Sequence, residues 1–130
     1  MALSTLRPEE LIRQAFIRFL EDKKVPLSLI ITEKNLKELP HLFEEATLPN
    51  RRVDLLVYKK KQGQLVPFLL VEMKASNLSD KALYQVIGYN HFVKSPYIAL
   101  VSDKDFWIYD CTTHKKIKDH EKFFQDYLQA

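Results

Sequence analysis

The sequence predicts an α/β (α+β) fold that packs residues 1–130 as one domain. Apolar residues recur at the 3–4 spacing of a helix after Pro8 and again after Ser79. They alternate with period two in residues 53–58 and 68–74, as strands do. Because 46% of the residues are hydrophobic and only two are glycine, the composition is that of a folded domain and not of a disordered segment.

Charge and cysteine content narrow the classes of function. The formal net charge of +3 is compatible with a nucleic-acid partner, although many unrelated domains share it. Cys111 is the single cysteine, which excludes an internal disulfide and favours a reducing, cytoplasmic compartment. No run reaches the ~20 apolar residues of a membrane span, and the opening segment lacks the apolar core of a signal peptide. The sequence has no zinc, nucleotide-loop or serine-hydrolase motif.

The first helix is expected to begin near Pro8, which suits a first helical turn, and to end before Pro26. Glu10 lies in its first turn, where solvated acids are common because that helix end is positive. The alternative is that Glu10 and Arg13 both reach the face that meets the sheet. The apolar stripe of this helix consists of Leu11, Ile12, Ala15, Phe16, Phe19 and Leu20.

A short β-branched strand is expected at residues 27–32, and Glu33 follows where the apolar character stops. Glu33 either overhangs a site at the strand end or caps the segment that follows. Residues 35–50 contain two prolines and are expected to be irregular, with a short strand or helix in part. They lead into Arg51 and Arg52.

Two acidic residues lie in the strand-like runs that flank a polar turn at Gly63. If these runs pair as a hairpin about Gly63, residues whose numbers sum to 126 face each other, and Asp54 then faces Glu72. Directly opposed residues have Cβ atoms about 4.5–5.5 Å apart. Two carboxylates that close repel unless a proton or a cation lies between them. A shift of the register by one residue would place the acids on opposite faces.

Glu72 and Lys74 share a strand face, and residues 69–73 are otherwise apolar, so this strand is expected to be central and buried on both faces. Buried acids are rare unless they are paired or metal-bound, and Mg²⁺ prefers oxygen ligands. The competing interpretation is that such acids are solvated or form ordinary ion pairs. The turn lysines, residues 59–61, are either solvated or contact phosphate. Pro67 fits only the start or an unpaired side of its strand.

The second helix is expected from an N-cap at Ser79 to about Lys94. Gln85 and Tyr89 are four residues apart and share a face with Lys81. A lone Q-x-x-x-Y spacing is a weak signal, and it gains weight when it follows D…E-x-K by one helix.

The rest of the chain predicts strands at residues 97–102 and 106–109, a basic connector at 115–118 and a last helix from about Asp119. Trp107 is expected to pack in the core or on the sheet face, and the alternative is that it stacks on a base. The last helix is expected to bury Phe123, Phe124, Tyr127 and Leu128.

The elements follow in the order helix, three strands, helix and strand, and the D…E-x-K residues lie on the second and third strands. This combination resembles the PD-(D/E)xK nuclease superfamily. More narrowly, the chain resembles the N-terminal nuclease domain of the type I restriction enzyme R subunit, from Arg7 to about Tyr109. The segments that carry the resemblance are R-P-E-E-L-I-R, the strand-ending Glu33, R-R-V-D, L-L-V-E-M-K-A and Q-V-I-G-Y-N. The last contains the Q-x-x-x-Y typical of RecB-type nucleases.

The resemblance implies a restriction-endonuclease-like αβββαβ core, with a central mixed sheet flanked by helices and an extra C-terminal strand and helix. It also implies a Mg²⁺-dependent DNA endonuclease. Asp54, Glu72 and the Met73 main-chain carbonyl would hold Mg²⁺ or Mn²⁺, and Lys74 would orient the attacking water or offset charge on the phosphate. By the same resemblance, Gln85 would position Lys74, the water or the DNA, and Tyr89 would support the site or contact phosphate. Glu10 and Glu33 would be outer ligands or ligands of a second metal. Arg51, Arg52 and Lys81 would bind phosphate.

Full R subunits continue into a helicase-like motor, whereas this sequence stops at Ala130. We therefore expect either a stand-alone nuclease or a domain that acts with a helicase or other restriction-system subunits on DNA. Many small nucleases of this kind dimerise to cut two strands, so a homodimer is one assembly to consider, through the 106–109 strand or the final helix. The alternatives are a catalytically silent nucleic-acid-binding or assembly domain and an interaction domain whose acids pair with Lys74 and Arg52.

Overall fold

The structure is a computed structural model that describes residues 7–45 and 47–129. Residues 1–6, on which much of the signal-peptide expectation rests, lie outside the described residues, as do Ala46 and Ala130. None of the described helices has the length and apolar character needed to cross a membrane.

The described chain contains helices and strands in the predicted order. The helices are α1 (Pro8–Asp22), α2 (Asp80–Val93) and α3 (His120–Gln129). The strands are β1 (Ile30–Asn35), β2 (Arg52–Lys61), β3 (Gln64–Met73), β4 (Tyr97–Val101), β5 (Phe106–Asp110) and β6 (Lys115–Ile117). Short 3-10 turns flank β1 at Leu27–Leu29, Leu36–Glu38 and Pro40–Leu42.

The strands form one sheet in the order β1-β2-β3-β4-β5-β6. β3 and β4 are parallel, and α2 supplies the crossover that a parallel pair needs. The other neighbouring pairs are antiparallel. The predicted αβββαβ order and the mixed sheet flanked by helices are therefore confirmed.

The segment expected to be only a basic connector forms β6 in part, which corrects that prediction. Asp110 accepts hydrogen bonds from the N–H groups of Thr112 at 2.8 Å and Thr113 at 3.3 Å. His114 then adopts a positive φ of 60°, and the chain reverses. The reversal places Lys115 opposite Asp110, and opposite charges on facing residues stabilise an antiparallel pair.

The first strand lies later in the chain than predicted. Residues Leu27–Leu29 form a 3-10 turn after the extended residue Pro26, and Leu27 is 55% exposed. β1 continues to Asn35, whose side chain accepts a hydrogen bond from the Lys37 N–H and caps the next short turn. The apolar run predicted a strand but not its ends, because both ends depend on turns.

The β2–β3 hairpin has the predicted register at one end and a different register at the other. Leu55 pairs with Val71, which is the predicted sum of 126. Lys61 pairs with Gln64, so the sum at the turn is 125, and a two-residue turn replaces the predicted turn centred on Gly63.

Phe68 is the extra residue that reconciles the two registers. Val57 pairs with Leu69 while Tyr58 pairs with Pro67, so Phe68 forms a β-bulge. Proline has no N–H to donate to the ladder, and a bulge is one of the places where a strand tolerates it, as at Pro67. Without the bulge, the register of the turn would continue to the other end and Asp54 would no longer be level with Glu72.

Two apolar layers cover the sheet. α1 and α3 pack on one face, and α2 with the turns after β1 packs on the other. β3 is central and buried on both faces, as predicted, since Leu69, Leu70 and Val71 are 0% exposed. Such residues each contribute about 1.5–3 kcal/mol through burial.

Three residues predicted to be buried are exposed. Leu11 is 46% exposed, Leu128 is 48% exposed, and Ala15 is also exposed. α1 contacts the sheet through residues four apart, Ile12, Phe16 and Leu20. Leu11 and Ala15 lie ~100° further round the helix, beyond the width of the contact. α3 has the same geometry, with Phe123, Phe124 and Tyr127 buried.

α2 begins as predicted. Ser79 Oγ accepts a hydrogen bond of 3.1 Å from the Ala82 N–H, which satisfies one of the free N–H groups of the first turn. Lys94 ends the helix with a left-handed φ of 63°. The helix spans β3 and β4 and thereby carries Tyr89 to the sheet.

Candidate functional site

Two carboxylates meet at the end of β2 and β3 that lies away from the turn. Leu55 pairs with Val71, and the adjoining residues of the two strands, Asp54 and Glu72, therefore lie opposite each other. Asp54 Oδ2 accepts a hydrogen bond of 2.9 Å from the Met73 N–H. Glu72 is 8% exposed, and Asp54 is half-buried. The structure therefore brings the two acids together.

The surroundings of Glu72 raise the pKa of its carboxyl to about 7 from an ordinary value of 4.5. Burial is the largest cause, and the neighbouring Asp54 carboxylate is the next, because both disfavour the charged form. Arg51 and Lys74 act in the opposite direction. A carboxyl in this environment favours a proton or a cation beside it.

Besides Asp54, two groups of the described residues contact the Glu72 carboxylate. The Tyr89 hydroxyl donates to Glu72 Oε2 at 3.3 Å, and Arg51 Nη2 lies 3.8 Å from Glu72 Oε1. The guanidinium carbon of Arg51 lies 3.9 Å from the centre of the Tyr89 ring, a cation–π contact. Burial, followed by the charge of Glu72, raises the pKa of Tyr89, so its hydroxyl stays a donor. Arg51, Glu72 and Tyr89 thus form one connected unit.

Lys74 follows β3 directly and is half-buried. Its N–H donates to the Val101 carbonyl at 2.8 Å, on the β4 side of the strand. The Met73 N–H points the other way, toward Asp54. Because the N–H and C=O of one extended residue point toward the same neighbouring strand, the Met73 carbonyl also faces β2.

A polar cleft of about 360 Å³ opens at this end of the sheet. It is lined by charged residues of α1 and its N-cap, and by residues in or directly after β1, β2 and β3. The lining residues are Arg7, Glu9, Glu10, Arg13, Glu33, Asp54, Glu72, Met73 and Lys74. Six of them are predicted site residues, from four separate segments of the chain.

Arg13 joins the two outer acids of the cleft. It forms an ion pair with Glu10 and a second with Glu33 Oε2 at 3.3 Å, and its side chain is only 12% exposed. Arg52 Nη2 donates to the main-chain carbonyl of Glu33 at 2.9 Å. Glu10 and Arg13 therefore face the sheet, as one of the two interpretations of the sequence has it, and Glu33 overhangs the site.

Glu33 has a backbone conformation that is rare for a residue with a side chain. Its φ is 54°, in the left-handed region, where the cost is about 1–2 kcal/mol. The pairs Thr32–Leu55 and Lys34–Val53 keep the β1–β2 register on both sides, so Glu33 lies level with Asp54. Strained backbone of this kind clusters at functional sites.

Five predicted site residues do not line the cleft, and three of them, Arg51, Arg52 and Tyr89, contact its acids as described above. The other two are on α2. Gln85 and Lys81 are exposed on α2 and do not line it. α2 brings Tyr89 to Glu72, whereas Gln85, one turn earlier, faces solvent.

Arg7 and Glu9 line the cleft without having been predicted. A signal for Arg7 was present, because Arg7, Glu10 and Arg13 are three residues apart and such residues share a helix face. This spacing therefore indicates that the three charged residues lie on one side of α1 and its N-cap, apart from the apolar stripe.

The oxygen donors of the cleft suit a hard divalent cation. Mg²⁺ usually takes one or two carboxylates together with water and phosphate oxygens. Asp54 and Glu72 supply two carboxylates, and the Met73 carbonyl faces the same side. Across residues 7–45 and 47–129, no three His, Cys, Asp or Glu side chains are grouped to hold a metal. An ion held by two carboxylates and a carbonyl would keep positions for water and phosphate oxygens.

The chain matches a known protein family over most of its length. The family is described as "Type I restriction enzyme R protein N terminus (HSDR_N)", and its model matches residues 8–123. No curated protein and no solved structure matches the chain. The matched region includes the whole β2–β3 hairpin and the two acids at its end. The chain therefore belongs to the family of type I restriction enzyme R protein N termini.

Proposed function

We propose that this chain is a metal-dependent nuclease domain of the PD-(D/E)xK superfamily that hydrolyses DNA phosphodiester bonds. The observation that carries the proposal is the meeting of Asp54, Glu72 and Lys74 in one polar cleft. Membership of a restriction-enzyme family supports it. The same membership supports DNA and other restriction-system subunits as partners.

The two acids and Lys74 have different proposed roles. Asp54, Glu72 and the Met73 carbonyl would hold Mg²⁺ or Mn²⁺. Such an ion supplies polarisation of the phosphate and lowers the pKa of a bound water. Lys74, beside the two acids, would orient the attacking water or offset the charge that develops on the phosphate.

The arginines supply positive charge for the DNA backbone. Arg7 and Arg13 line the cleft, and Arg52 lies at its edge with its side chain 64% exposed. Arginine is suited to this role because its planar fork matches phosphate oxygens. Arg13 and Arg52 both form ion pairs with Glu33, so a DNA phosphate would take the place of the Glu33 carboxylate in these pairs. Lys81 and Gln85 would contact DNA that extends beyond the cleft.

A cleavage assay on one matched pair of lysine variants tests the proposal. Supercoiled plasmid and a single-stranded oligonucleotide are incubated with Mg²⁺, Mn²⁺ or EDTA and the wild type, Lys74→Ala or Lys122→Ala. Lys122 is an exposed residue of α3 outside the cleft, paired with Asp126. We expect metal-dependent cutting by the wild type and by Lys122→Ala, and a loss of about 100-fold or more in Lys74→Ala.

Thermal melting is the control for folding. A loss of cleavage by Lys74→Ala is informative because the variant is required to have the same melting temperature as the wild type. Cutting by Lys74→Ala at the wild-type rate would overturn the assigned site. Folded wild type that cuts neither substrate with either metal would favour the second candidate function.

That second candidate is a catalytically silent nucleic-acid-binding domain. It is favoured by one observation, that Arg51 and Tyr89 engage both oxygens of Glu72. The remaining alternative is an interaction domain whose acids pair with Lys74 and Arg52, and this pairing is present only in part. Arg52 pairs with Glu33, but among the described ion pairs Glu72 is joined to Arg51 and not to Lys74. A metal site gains thermal stability from Mn²⁺ by mass action, whereas an ion-pair site does not.

A further inference from the structure

A second surface carries aromatic side chains on the sheet face that α2 covers. Trp107 and Tyr109 are two residues apart in β5 and therefore share a strand face. They pair with Leu100 and Ile98, which pack with α2 in the core. We call Tyr84, Trp107, Tyr109 and Lys116 the α2–β5 surface.

Contacts at both ends of α2 place these residues side by side. Lys116 Nζ lies 3.6 Å from the centre of the Trp107 ring and 3.2 Å from Oδ1 of Asp80, the first residue of α2. Near the other end, Asn90 Nδ2 lies 3.6 Å from Cys111 Sγ, just beyond β5. α2 and β5 therefore run in the same direction.

Tyr84 lies one turn after Asp80, which puts it level with Tyr109. The pKa of Tyr109 is raised first by burial and then by Cys111 and Tyr84, which agrees with this placement. Lys116 faces Tyr109 across the β5–β6 pair, so its side chain lies on the same face of the sheet.

The α2–β5 surface is accessible. Tyr84 is 67% exposed, and Trp107 and Tyr109 are half-buried. Gly88 lies one turn after Tyr84, and a Cβ there would meet nothing within 4 Å. Glycine inside a helix costs about 1 kcal/mol relative to alanine, yet no packing contact requires it here. The helix backbone at Gly88, beside Tyr84, is thus exposed.

Charge selects the kind of partner. Lys116 lies on the Trp107 ring, and Lys81, which follows Asp80 in the chain, is exposed at the same end of α2. Asp80 beside these residues is paired with Lys116, whereas Asp110 alternates with Tyr109 along β5 and lies on the other face of the sheet. Protein interfaces are enriched in tyrosine and tryptophan but depleted in lysine. Lysines combined with aromatic side chains are typical of surfaces that bind single-stranded nucleic acid, whose base faces are free to stack.

We propose that the α2–β5 surface binds single-stranded nucleic acid. Tyr84 and Trp107 stack on bases, and Lys116 exchanges Asp80 for a backbone phosphate. Five residues separate Asp80 from Lys74, so the surface begins within about 20 Å of the cleft. This inference goes beyond the proposed nuclease activity, because it requires neither a metal ion nor cleavage.

The single tryptophan makes the test specific to this surface. Wild-type protein in EDTA is titrated with oligothymidylate, and with a duplex of the same length, while Trp107 emission and the anisotropy of a labelled oligonucleotide are followed. We expect saturable quenching by the single strand, an affinity that falls with salt, and much weaker binding of the duplex.

Two aromatic variants complete the experiment. Tyr84→Ala should weaken binding about tenfold, because base stacking on one aromatic side chain contributes about that much. Phe43→Ala removes a ring that is 78% exposed on the turn after Leu42, outside the surface, and should bind as the wild type does.

Three outcomes would overturn the inference. The first is Trp107 emission that does not change while the anisotropy saturates. The second is binding by Tyr84→Ala at wild-type affinity. The third is emission that changes with protein concentration alone, which would assign the surface to a second copy of the chain. Because EDTA prevents metal-dependent cleavage, none of these outcomes bears on the proposed nuclease activity.

Discussion

A residue with positive φ lies in the turn of the β2–β3 hairpin, and another lies beside the opposite end of the hairpin, on β1, in very different surroundings. Gln62 in the turn has φ 53°, and Glu33, which lies level with Asp54 at the cleft end, has φ 54°. The turn end is exposed and basic. The cleft end holds a buried carboxyl whose pKa is about 7, close to a second acid.

The positive φ has a different cause at each end. Gln62 and Gly63 both have positive φ, as in the type I′ turns that join two antiparallel strands. No chain reversal requires this conformation at Glu33, because β1 continues through it. The Glu33 side chain instead forms ion pairs with Arg13 and Arg52. Positive φ at the turn accompanies the reversal of the chain, whereas positive φ at the cleft accompanies the ion pairs of Glu33.

Removal of an acid at the cleft end is expected to have the largest effect. Asp54→Ala should lower metal-dependent cleavage about 100-fold or more, because metal catalysis supplies several kcal/mol and each 1.36 kcal/mol is tenfold. Plasmid nicking and the Mn²⁺-induced rise in melting temperature measure it. Asp126→Ala, an exposed acid of α3, is the matched control. An Asp54→Ala protein that Mn²⁺ still stabilises as much as the wild type would contradict the prediction.

The buried carboxyl should make metal-free stability depend on pH. The folded pKa of Glu72, about 7, lies above its ordinary value of 4.5, so the folded state binds more protons between these values. The free energy of unfolding therefore falls as pH rises through this window, by about 3 kcal/mol at most.

Urea unfolding in EDTA at pH 5 to 8 measures this difference against Glu72→Gln, which has no such proton. The variant should be more stable than the wild type at pH 8, and the gap should shrink toward pH 5. Parallel pH profiles for the two proteins would show that Glu72 does not have the expected environment.

Arg51 should compete with a metal ion for Glu72, with a smaller effect. Arg51→Met keeps a side chain that can pack on Tyr89 but removes the charge 3.8 Å from Glu72 Oε1. Mn²⁺ should then bind about two- to fivefold more tightly, because a half-exposed ion pair contributes at most about 1 kcal/mol. Mn²⁺ titration followed by spin resonance measures it, with Arg51→Lys as the control that keeps the charge. Weaker Mn²⁺ binding in Arg51→Met would make Arg51 a support of the site and not a competitor.

Relief of backbone strain should give the smallest effect and separate the two hairpin ends. Gln62→Gly should raise the free energy of unfolding by about 0.5–1 kcal/mol without a change in cleavage, because glycine adopts positive φ freely. Glu33→Gly should gain less, since it loses the ion pairs with Arg13 and Arg52, and it should cut DNA more slowly. Chemical unfolding and plasmid nicking measure both variants. The comparison would fail if Gln62→Gly slowed cleavage as much as Glu33→Gly did.

Local chemistry explains which parts of the fold were predictable. Ser79 predicts the start of α2 because an N-cap acts within one helical turn. The apolar run around Glu72 predicts a central strand because only a strand covered on both faces tolerates it. The strand at residues 27–32 was misplaced because its ends depend on turns, and Phe68 as a bulge has no distinctive sequence signal.

The candidate site divides in the same way. Asp54, Glu72 and Lys74 could be found from the sequence because strand periodicity and the hairpin fix their relation over a short stretch of chain. The contact of Arg51 with Tyr89 joins residues on different elements, and neither residue's neighbours in the chain indicate it. The placement of Gln85 outside the cleft depends on how α2 rotates about its axis against the sheet.

The sequence by itself determined the order of elements, the central strand and the acids and lysine of the hairpin, because these follow from periodicity and pairing between near neighbours. Only the tertiary structure decided which charged groups surround those acids. The pKa of Glu72, the strain at Glu33 and the aromatic side chains beside α2 arise where elements distant in sequence pack together. The physical reason is that burial and electrostatic interaction depend on distances in space, which a linear pattern encodes only over a few residues.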